Sequence, residues 1–168
     1  EIPAEPANPD DLPPLLKGFK AVAPLVSDIN LSLDDRFLYV SCWGTGELRQ
    51  YDVSDPFQPQ LTGTARIGGI VRRTAHPSNP DQSLNGGPQM VEVSRDGKRV
   101  YISNSLYTPW DAQFYPDGIK GWVAKLDVNP SGGIAFDSRF LVDIETGLRP
   151  HQVRLEGGDA SSDSFCYS

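Results

Sequence analysis

The chain has few residues of the types that make metal or redox sites. Its 168 residues include two histidines, His76 and His151, and two cysteines, Cys42 and Cys166. The sequence has no Cys-x-x-Cys pair, Gly-rich phosphate loop or nucleophile elbow, so it does not match those types of site. Cys42 falls in an apolar run and is predicted to be a buried free thiol, because the spacing of the two cysteines gives no support for a disulfide.

Positive charge is also scarce. The chain has 15 Lys and Arg against 22 Asp and Glu, a net charge of −7. Binding to a nucleic-acid backbone needs a basic face, so we predict no nucleic-acid partner. No apolar run is long enough to cross a membrane, and we expect no membrane partner. No signal peptide is visible, but the chain opens with Glu, and the compartment stays open between periplasm and cytoplasm.

Glycine and proline are plentiful, with 16 Gly and 15 Pro, which favours short strands joined by turns over long helices. The stretch from Asp28 to Asp52 shows the pattern. Ile29, Leu31 and Leu33 alternate with polar residues, as in a strand. After a turn at Asp34-Asp35, residues 37–43 form an apolar run typical of a strand covered on both faces, and residues 47–53 form a third strand.

This pattern occurs twice. Residues 89–103 align without a gap onto residues 27–41, so that Ile29 matches Val91 and Tyr39 matches Tyr101. The third strand recurs as well, since Gln50-Tyr-Asp-Val corresponds to Lys125-Leu-Asp-Val. Gln60 to Ile67 and Ile134 to Ile144 are the predicted fourth strands. The chain is therefore predicted to contain repeated four-stranded units.

The remaining segments divide the chain as follows. Residues 1–24 are rich in proline and predicted to be an extended arm, whose leucines, Phe19 and Val22 can lie on an apolar surface. Residues 25–168 are the rest of one domain: a unit at about 26–67, a long irregular loop at 68–87, a unit at about 88–144 with an aromatic insertion at 106–117, and the start of a further unit at 150–168. A loop as long as 68–87 is usually functional.

Four-stranded repeats of this length are typical of β-propeller blades. The predicted fold is all-β, with about two blades and a closing strand. Because each blade buries its faces against its neighbours, we expect the N-terminal remainder of the propeller, on the same or a separate chain, as a partner. A small two-sheet β domain is the alternative.

Several segments then resemble those of the selenium-binding protein family, which includes the methanethiol oxidases. They are Ser32-Leu-Asp-Asp-Arg-Phe-Leu-Tyr39, Glu47-Leu-Arg-Gln-Tyr-Asp-Val-Ser-Asp-Pro56, Gly86-Gly-Pro-Gln-Met90, Thr108-Pro-Trp-Asp-Ala-Gln-Phe-Tyr-Pro116, Pro150-His-Gln-Val-Arg-Leu155 and Gly157-Gly-Asp-Ala-Ser-Ser-Asp163. The match is to the C-terminal part of the family and to its microbial branch. The resemblance implies a seven-bladed propeller and a copper-dependent oxidation of methanethiol by dioxygen and water to formaldehyde, hydrogen sulfide and hydrogen peroxide. The alternative function is a non-catalytic selenium- or metal-binding scaffold.

The two histidines are the candidate metal ligands. His151 opens a strand that would start near the central channel, where imidazoles from several blades can meet copper. His76 lies in the long loop and can supply a second ligand or close the site. A histidine bonded in a packed turn and a solvated loop histidine are the respective alternatives. Neither cysteine matches the family's selenium-binding position. The aromatic insertion is predicted to line a pocket for a small thiol substrate, to cap a blade edge, or to do both.

Overall fold

The structure is a computed structural model that describes residues 1–105, 107–144 and 147–154. Its strands are β1 (Glu5–Pro6), β2 (Ala21–Val22), β3 (Val26–Leu31), β4 (Phe37–Cys42), β5 (Glu47–Asp52), β6 (Gln60–Arg66), β7 (Val91–Val93), β8 (Arg99–Ser103), β9 (Gly121–Val128) and β10 (Ile134–Ile144). A 3-10 turn covers Lys17–Phe19, and one α-helix in the described residues, α1, covers Thr108–Phe114. None of the helices in these ranges is long and apolar enough to cross a membrane.

The eight longer strands form two four-stranded antiparallel sheets. The first sheet has the order β3-β4-β5-β6, and the second has β7-β8-β9-β10. The strands predicted for these two units are confirmed, including the fourth strand at Ile134–Ile144. The predicted repeat is confirmed as well, because both sheets follow the chain from one edge to the other.

The first turn of each unit has the same hydrogen bonds. In the first unit, the Ser32 hydroxyl donates to Asp34 Oδ1 over 2.6 Å, and the Arg36 N–H donates to the same carboxylate oxygen. In the second unit, the Ser94 hydroxyl donates to Asp96 Oδ1, also over 2.6 Å, and the Lys98 N–H donates to that oxygen. The turn that joins the first strand to the second therefore has the same hydrogen bonds in both sheets.

The two sheets pack on each other around a shared apolar core. Its buried members come from both sheets: Phe37, Tyr39, Leu48, Ala65 and Ile67 from the first, and Val91, Val93, Val100, Ile102, Trp122, Ala124 and Leu126 from the second. The β3 side chains also bond the β7 backbone. Asp28 Oδ2 accepts from the Val91 N–H over 2.7 Å, and Asn30 Nδ2 donates to the Val91 carbonyl over 3.1 Å. The first strands of the two sheets are therefore neighbours.

The alternation in β3 is present, but its faces are reversed relative to a simple amphipathic strand. The apolar residues Val26, Ile29 and Leu31 are exposed, while the polar Asp28 and Asn30 point toward the second sheet. At the matching positions of β7, Val91 and Val93 are fully buried against the first sheet. The same apolar face is thus covered in the second unit and uncovered in the first.

Residues 1–24 do not form the extended arm that the proline content predicted. β1 pairs with β2, so the segment folds back on itself, and Leu12, Leu16 and Val22 are buried. Their partners include Trp43, Ile70, Phe114, Tyr115 and Ile119, which complete a second apolar cluster. The segment folds because these three side chains have an apolar surface to cover, which outweighs the extended preference of its prolines.

Much of the aromatic insertion forms α1, Thr108–Phe114. Pro109 lies in its first turn, where a missing N–H costs nothing. Phe114 and Tyr115 pack edge-on against the Trp43 ring, with ring centroids 5.3 and 5.5 Å away. The insertion therefore fills the second apolar cluster. Its two predicted roles, lining a pocket for a thiol and capping a blade edge, both stay predictions.

The loop at 68–87 is irregular, as predicted, with isolated bridges between Gly68 and Thr74 and between Ala75 and Ser83. It packs between the sheets: Leu84 lies on the shared core, and the Asn85 carbonyl accepts from Trp122 Nε1 over 2.9 Å. Gly68 has a positive φ of 64°, and a Cβ there would lie 1.8 Å from the Gly86 carbonyl oxygen, so no other residue fits. This part of the loop is fixed by close backbone contacts.

Candidate functional site

His151 occupies the same place in its repeat as two earlier residues. Ser27 and Gln89 are 62 positions apart and touch through the Ser27 hydroxyl, which donates to the Gln89 carbonyl over 3.1 Å. His151 follows Gln89 by the same interval, 62 positions. Gln89 is buried, and its Oε1 has no hydrogen-bond partner among the described residues. The three residues therefore occupy equivalent positions in successive repeats.

The side chain of His151 is exposed, while its main chain is bonded to the second sheet. The Ser103 hydroxyl, at the end of β8, donates to the His151 carbonyl over 2.9 Å. Residues 150–154 form no strand, and residues 155–168 lie outside the described residues, so the predicted first strand of a third unit is seen only as an irregular segment. The imidazole therefore lies at the surface of the described residues.

His76 is buried, with 1% of its surface exposed. The solvated loop histidine predicted as an alternative is therefore wrong. Its ring packs edge-on against Phe136 of β10, with centroids 5.3 Å apart. Burial lowers the pKa of His76, and the nearby Asp137 carboxylate opposes that shift. The neutral ring is thus the favoured form.

The hydrogen bonds of His76 identify its tautomer. Nδ1 accepts from the Ser78 N–H over 3.1 Å and lies 2.8 Å from the Ser78 hydroxyl. A neutral ring that accepts at Nδ1 carries its proton on Nε2, which is buried without a partner among the described residues. Neither nitrogen of this tautomer offers a lone pair to a metal, so His76 would have to change tautomer and partners to become a ligand.

The two histidines lie on different parts of the second sheet. His76 contacts Phe136, which faces the shared core from the outermost strand, β10. His151 is bonded to Ser103, which alternates with the core residue Ile102 on β8 and so points to the opposite face. The two candidate ligands therefore contact different strands of the second sheet, β10 and β8.

A copper site needs several ligating side chains close together. In residues 1–105, 107–144 and 147–154, no three or more His, Cys, Asp or Glu side chains are grouped so that they could hold a metal ion. An exposed imidazole is suitable as one copper ligand. His151 is therefore compatible with one ligand position of a copper site, and the described residues hold no group that could form the whole site.

Cys42 is fully buried and free, as predicted. Burial raises the pKa of its thiol to about 11. Since the thiolate is the reactive form, this cysteine is poorly suited to bind selenium or a metal.

Sequence reasoning missed two groups of charged residues. Glu47 is buried and lies between two arginines, 2.8 Å from Arg49 and 2.6 Å from Arg66, while Arg66 also pairs with Glu5 of the N-terminal segment. The second group joins Asp111 of α1 to Arg149, two residues before His151. Apart from Glu47 and Arg49, which are two residues apart, the paired residues of both groups are distant in sequence, so no local motif could reveal them.

Two cavities border the packed units. A cavity of about 320 Å³ lies between the N-terminal segment and the first sheet, with Glu5, Thr45 and Arg72 contributing its polar side chains. A cavity of about 240 Å³ lies between the two equivalent turns and is lined by residues that include Asp34, Asp96 and Lys98. Neither cavity includes His76 or His151 among its lining residues.

The chain is similar to known proteins over most of its length. The model of the 56 kDa selenium binding protein family (SBP56) matches residues 1–166. The chain belongs to this family of selenium-binding proteins.

Particular relatives carry two names. The methanethiol oxidase of Pongo abelii is 46% identical and that of Homo sapiens 45% identical, each over 161 residues that cover 83% of this chain and 34% of the relative. Selenium-binding protein 2 of Mus musculus is 45% identical over the same share. The chain thus spans about a third of the length of these relatives.

A solved structure matches nearly the whole chain. The hypothetical selenium-binding protein from Sulfolobus tokodaii, an X-ray structure, is 60% identical, with a TM-score of 0.90 over 99% of this chain and 36% of that protein. Its identity exceeds the 46% shared with the Pongo abelii protein, as the predicted microbial branch would lead one to expect.

Proposed function

We propose that this chain is part of a methanethiol oxidase, and that His151 supplies one ligand to its copper centre. The proposal is carried by the position of His151, an exposed residue on an anchored main chain at the repeat position of Ser27 and Gln89. The names of the relatives in two vertebrates support the reaction.

We propose further that the two sheets are neighbouring blades of a β-propeller. The support comes from matching positions on β3 and β7. Ile29 is 58% exposed, whereas its counterpart Val91 is 0% exposed because the first sheet covers it. An equivalent sheet packed on β3 would bury Ile29 in the same way, and apolar faces of this kind are normally covered. The N-terminal remainder of the propeller is the proposed occupant.

The reaction proposed is the oxidation of methanethiol by dioxygen and water to formaldehyde, hydrogen sulfide and hydrogen peroxide. The sulfur leaves carbon as sulfide, carbon is oxidised to the aldehyde, and dioxygen takes up the two electrons as peroxide. His151 would hold one position of the copper, and the metal, when bound, would supply the redox chemistry. The part of the chain described here does two things in this proposal: it places one imidazole and supports it with a rigid sheet.

The test compares the intact protein with its His151→Ala variant. We expect the wild type to hold copper and to release hydrogen sulfide and peroxide from methanethiol, and the variant to lose copper and both products. His76→Gln is the matched control, because His76 is buried in the tautomer that leaves no lone pair for a metal. Copper content unchanged in His151→Ala would remove this residue from the site.

A non-catalytic metal- or selenium-binding scaffold is the second candidate. It is supported by the printed name of selenium-binding protein 2 of Mus musculus, which is 45% identical over 83% of this chain. Copper-loaded intact protein that consumes no oxygen in the presence of methanethiol would support the scaffold and contradict the oxidase.

A further inference from the structure

The main chain just before His151 is held at several points. The Leu148 carbonyl oxygen and Pro150 Cδ lie against Gly121 at the start of β9, where a Cβ would come within 2.7 Å of each. The Ser103 hydroxyl holds the His151 carbonyl over 2.9 Å. Pro150 restricts its own φ and the conformation of Arg149. This segment is anchored although it forms no regular strand.

Arg149 supplies the remaining anchor through α1. Its Nη1 donates to the Ile119 carbonyl over 2.9 Å and lies 3.4 Å from Asp111 Oδ2. The Ser105 hydroxyl donates to the same Asp111 oxygen over 2.6 Å. Asp111 is 1% exposed and Ser105 is fully buried. A carboxylate buried this deeply depends on such partners, so Arg149 is tied to a fixed point in the fold.

The described residues have no ion pair of this kind at the equivalent position one repeat earlier. Gly87 lies 62 positions before Arg149 and so takes its place in the previous unit. A Cβ on Gly87 would lie 2.2 Å from the Trp43 carbonyl oxygen, so that segment is held by backbone packing and not by an ion pair. In the first unit, the short turn Gly44-Thr45-Gly46 joins β4 to β5, where the second unit has the insertion with α1. The insertion thus brings Asp111 to the segment that precedes His151.

We propose that Asp111 is a positioning residue that acts through Arg149 to fix the main chain at His151 and so the direction of its imidazole. The inference rests on the proposed role of His151 as a copper ligand. Residues that orient metal ligands change metal affinity by roughly 10- to 100-fold when they are replaced. Asp111 therefore gives the insertion a role at the metal site in addition to its place in the second apolar cluster.

The experiment measures Cu²⁺ affinity by chelator competition and the imidazole NMR signals of the copper-free protein, both on the intact protein. Asp111→Asn keeps the size of the side chain and removes its charge. We expect it to weaken Cu²⁺ binding by about 10-fold or more and to shift the signal assigned to His151 through its absence in His151→Ala. Arg149→Lys keeps the positive charge and should retain part of the affinity.

Asp143→Asn is the matched control. It breaks the exposed ion pair between Lys120 Nζ and Asp143 Oδ2, 2.6 Å apart, and leaves the pair between Asp111 and Arg149 in place. We expect wild-type affinity and an unshifted His151 signal. If Asp111→Asn does not fold, Gly121→Ala displaces the same segment from a second side without removing a charge, and the same loss of affinity and signal shift are expected.

The outcomes separate the two proposals. Wild-type affinity together with an unshifted His151 signal in Asp111→Asn or Gly121→Ala would overturn the positioning role and leave His151 as a ligand. Wild-type affinity in His151→Ala would overturn the ligand assignment, and the signal shift in the copper-free variants would then decide the positioning role alone.

Discussion

The two sheets share a strand order and a turn chemistry but differ in what covers the same face. In the second sheet this face is covered by the first sheet, and Trp122 lies on it as part of the shared core. At the corresponding position the first sheet has Glu47, which is bonded to Arg49 and Arg66 and, through Arg66, to Glu5. One position of a repeat can therefore hold an aromatic core residue or a buried carboxylate, according to the neighbour that its face meets.

The largest expected effect comes from one charge placed at the two equivalent positions. Val91→Asp buries an unpaired carboxylate in the shared core and should destabilise the fold by about 4 kcal/mol or more. Ile29→Asp changes an exposed residue and should cost about 0.5 kcal/mol or less in the 168-residue chain. Urea unfolding of both variants measures the difference.

The same pair tests the proposed propeller. In the intact protein, a sheet packed on β3 would make Ile29→Asp nearly as damaging as Val91→Asp. Equal small effects of Ile29→Asp in the chain alone and in the intact protein would contradict an occupant on that face.

The next effect compares one ion pair from each sheet. Glu47→Gln removes a carboxylate that is 2% exposed and leaves two arginines without it, at an expected cost of about 2 kcal/mol. Asp143→Asn breaks a pair whose side chains are 54% and 50% exposed, and should cost less than about 0.5 kcal/mol. Similar costs in denaturant unfolding would show that the buried position of Glu47 adds nothing.

The free energy of unfolding should depend on pH through His76. Burial holds its folded-state pKa below the ordinary value of 6.5, so the unfolded chain binds the proton more readily. Stability contributed by the neutral ring is therefore present above pH 6.5 and is lost as the pH falls below it, by at most about 1.4 kcal/mol per pH unit for one proton. His76→Gln should flatten unfolding free energies measured between pH 7 and pH 5; an unchanged slope would contradict the assignment.

The smallest effect concerns the two equivalent turns. The Ser94 hydroxyl is the main cause that holds the pKa of Asp96 at about 2, below the ordinary 3.8, and Ser32 likewise lowers the pKa of Asp34. Their stabilisation is present above pH 3.8 and is lost as the pH falls toward 2. Asp96→Asn and Asp34→Asn should each cost less than about 1 kcal/mol at pH 7 and weaken the acid sensitivity below pH 4. Unequal effects in acid titrations would mean that the turns are not equivalent.

Much of the fold was predictable because strand alternation and turn residues are local properties. The ungapped match of residues 27–41 to 89–103 gave the repeat, and both sheets follow it. The direction of each face was not predictable. In β3 the polar Asp28 and Asn30 point toward the second sheet because they bond the β7 backbone there, and alternation alone cannot show which neighbour a face will meet.

The candidate site was predictable only in part. The resemblance of Pro150-His-Gln-Val-Arg-Leu155 singled out His151, whose role as a ligand stays a prediction. The tautomer of His76 depends on its hydrogen bond with the Ser78 N–H, and its ring packs on Phe136, which lies 60 positions away in sequence. Asp111 and Arg149 meet only because α1 folds onto the second cluster, a contact that no local pattern encodes.

The hydrogen bonds between β3 and β7 also bear on aggregation. β7 is an edge strand, and the backbone groups of such a strand are a template for pairing with foreign chains. Here the Val91 N–H donates to Asp28, and the carbonyls of Val91 and Gln89 accept from Asn30 and Ser27. Another polypeptide would have to displace these side chains before it could add a strand. The polar face of β3 thus protects the second sheet from growing at this edge.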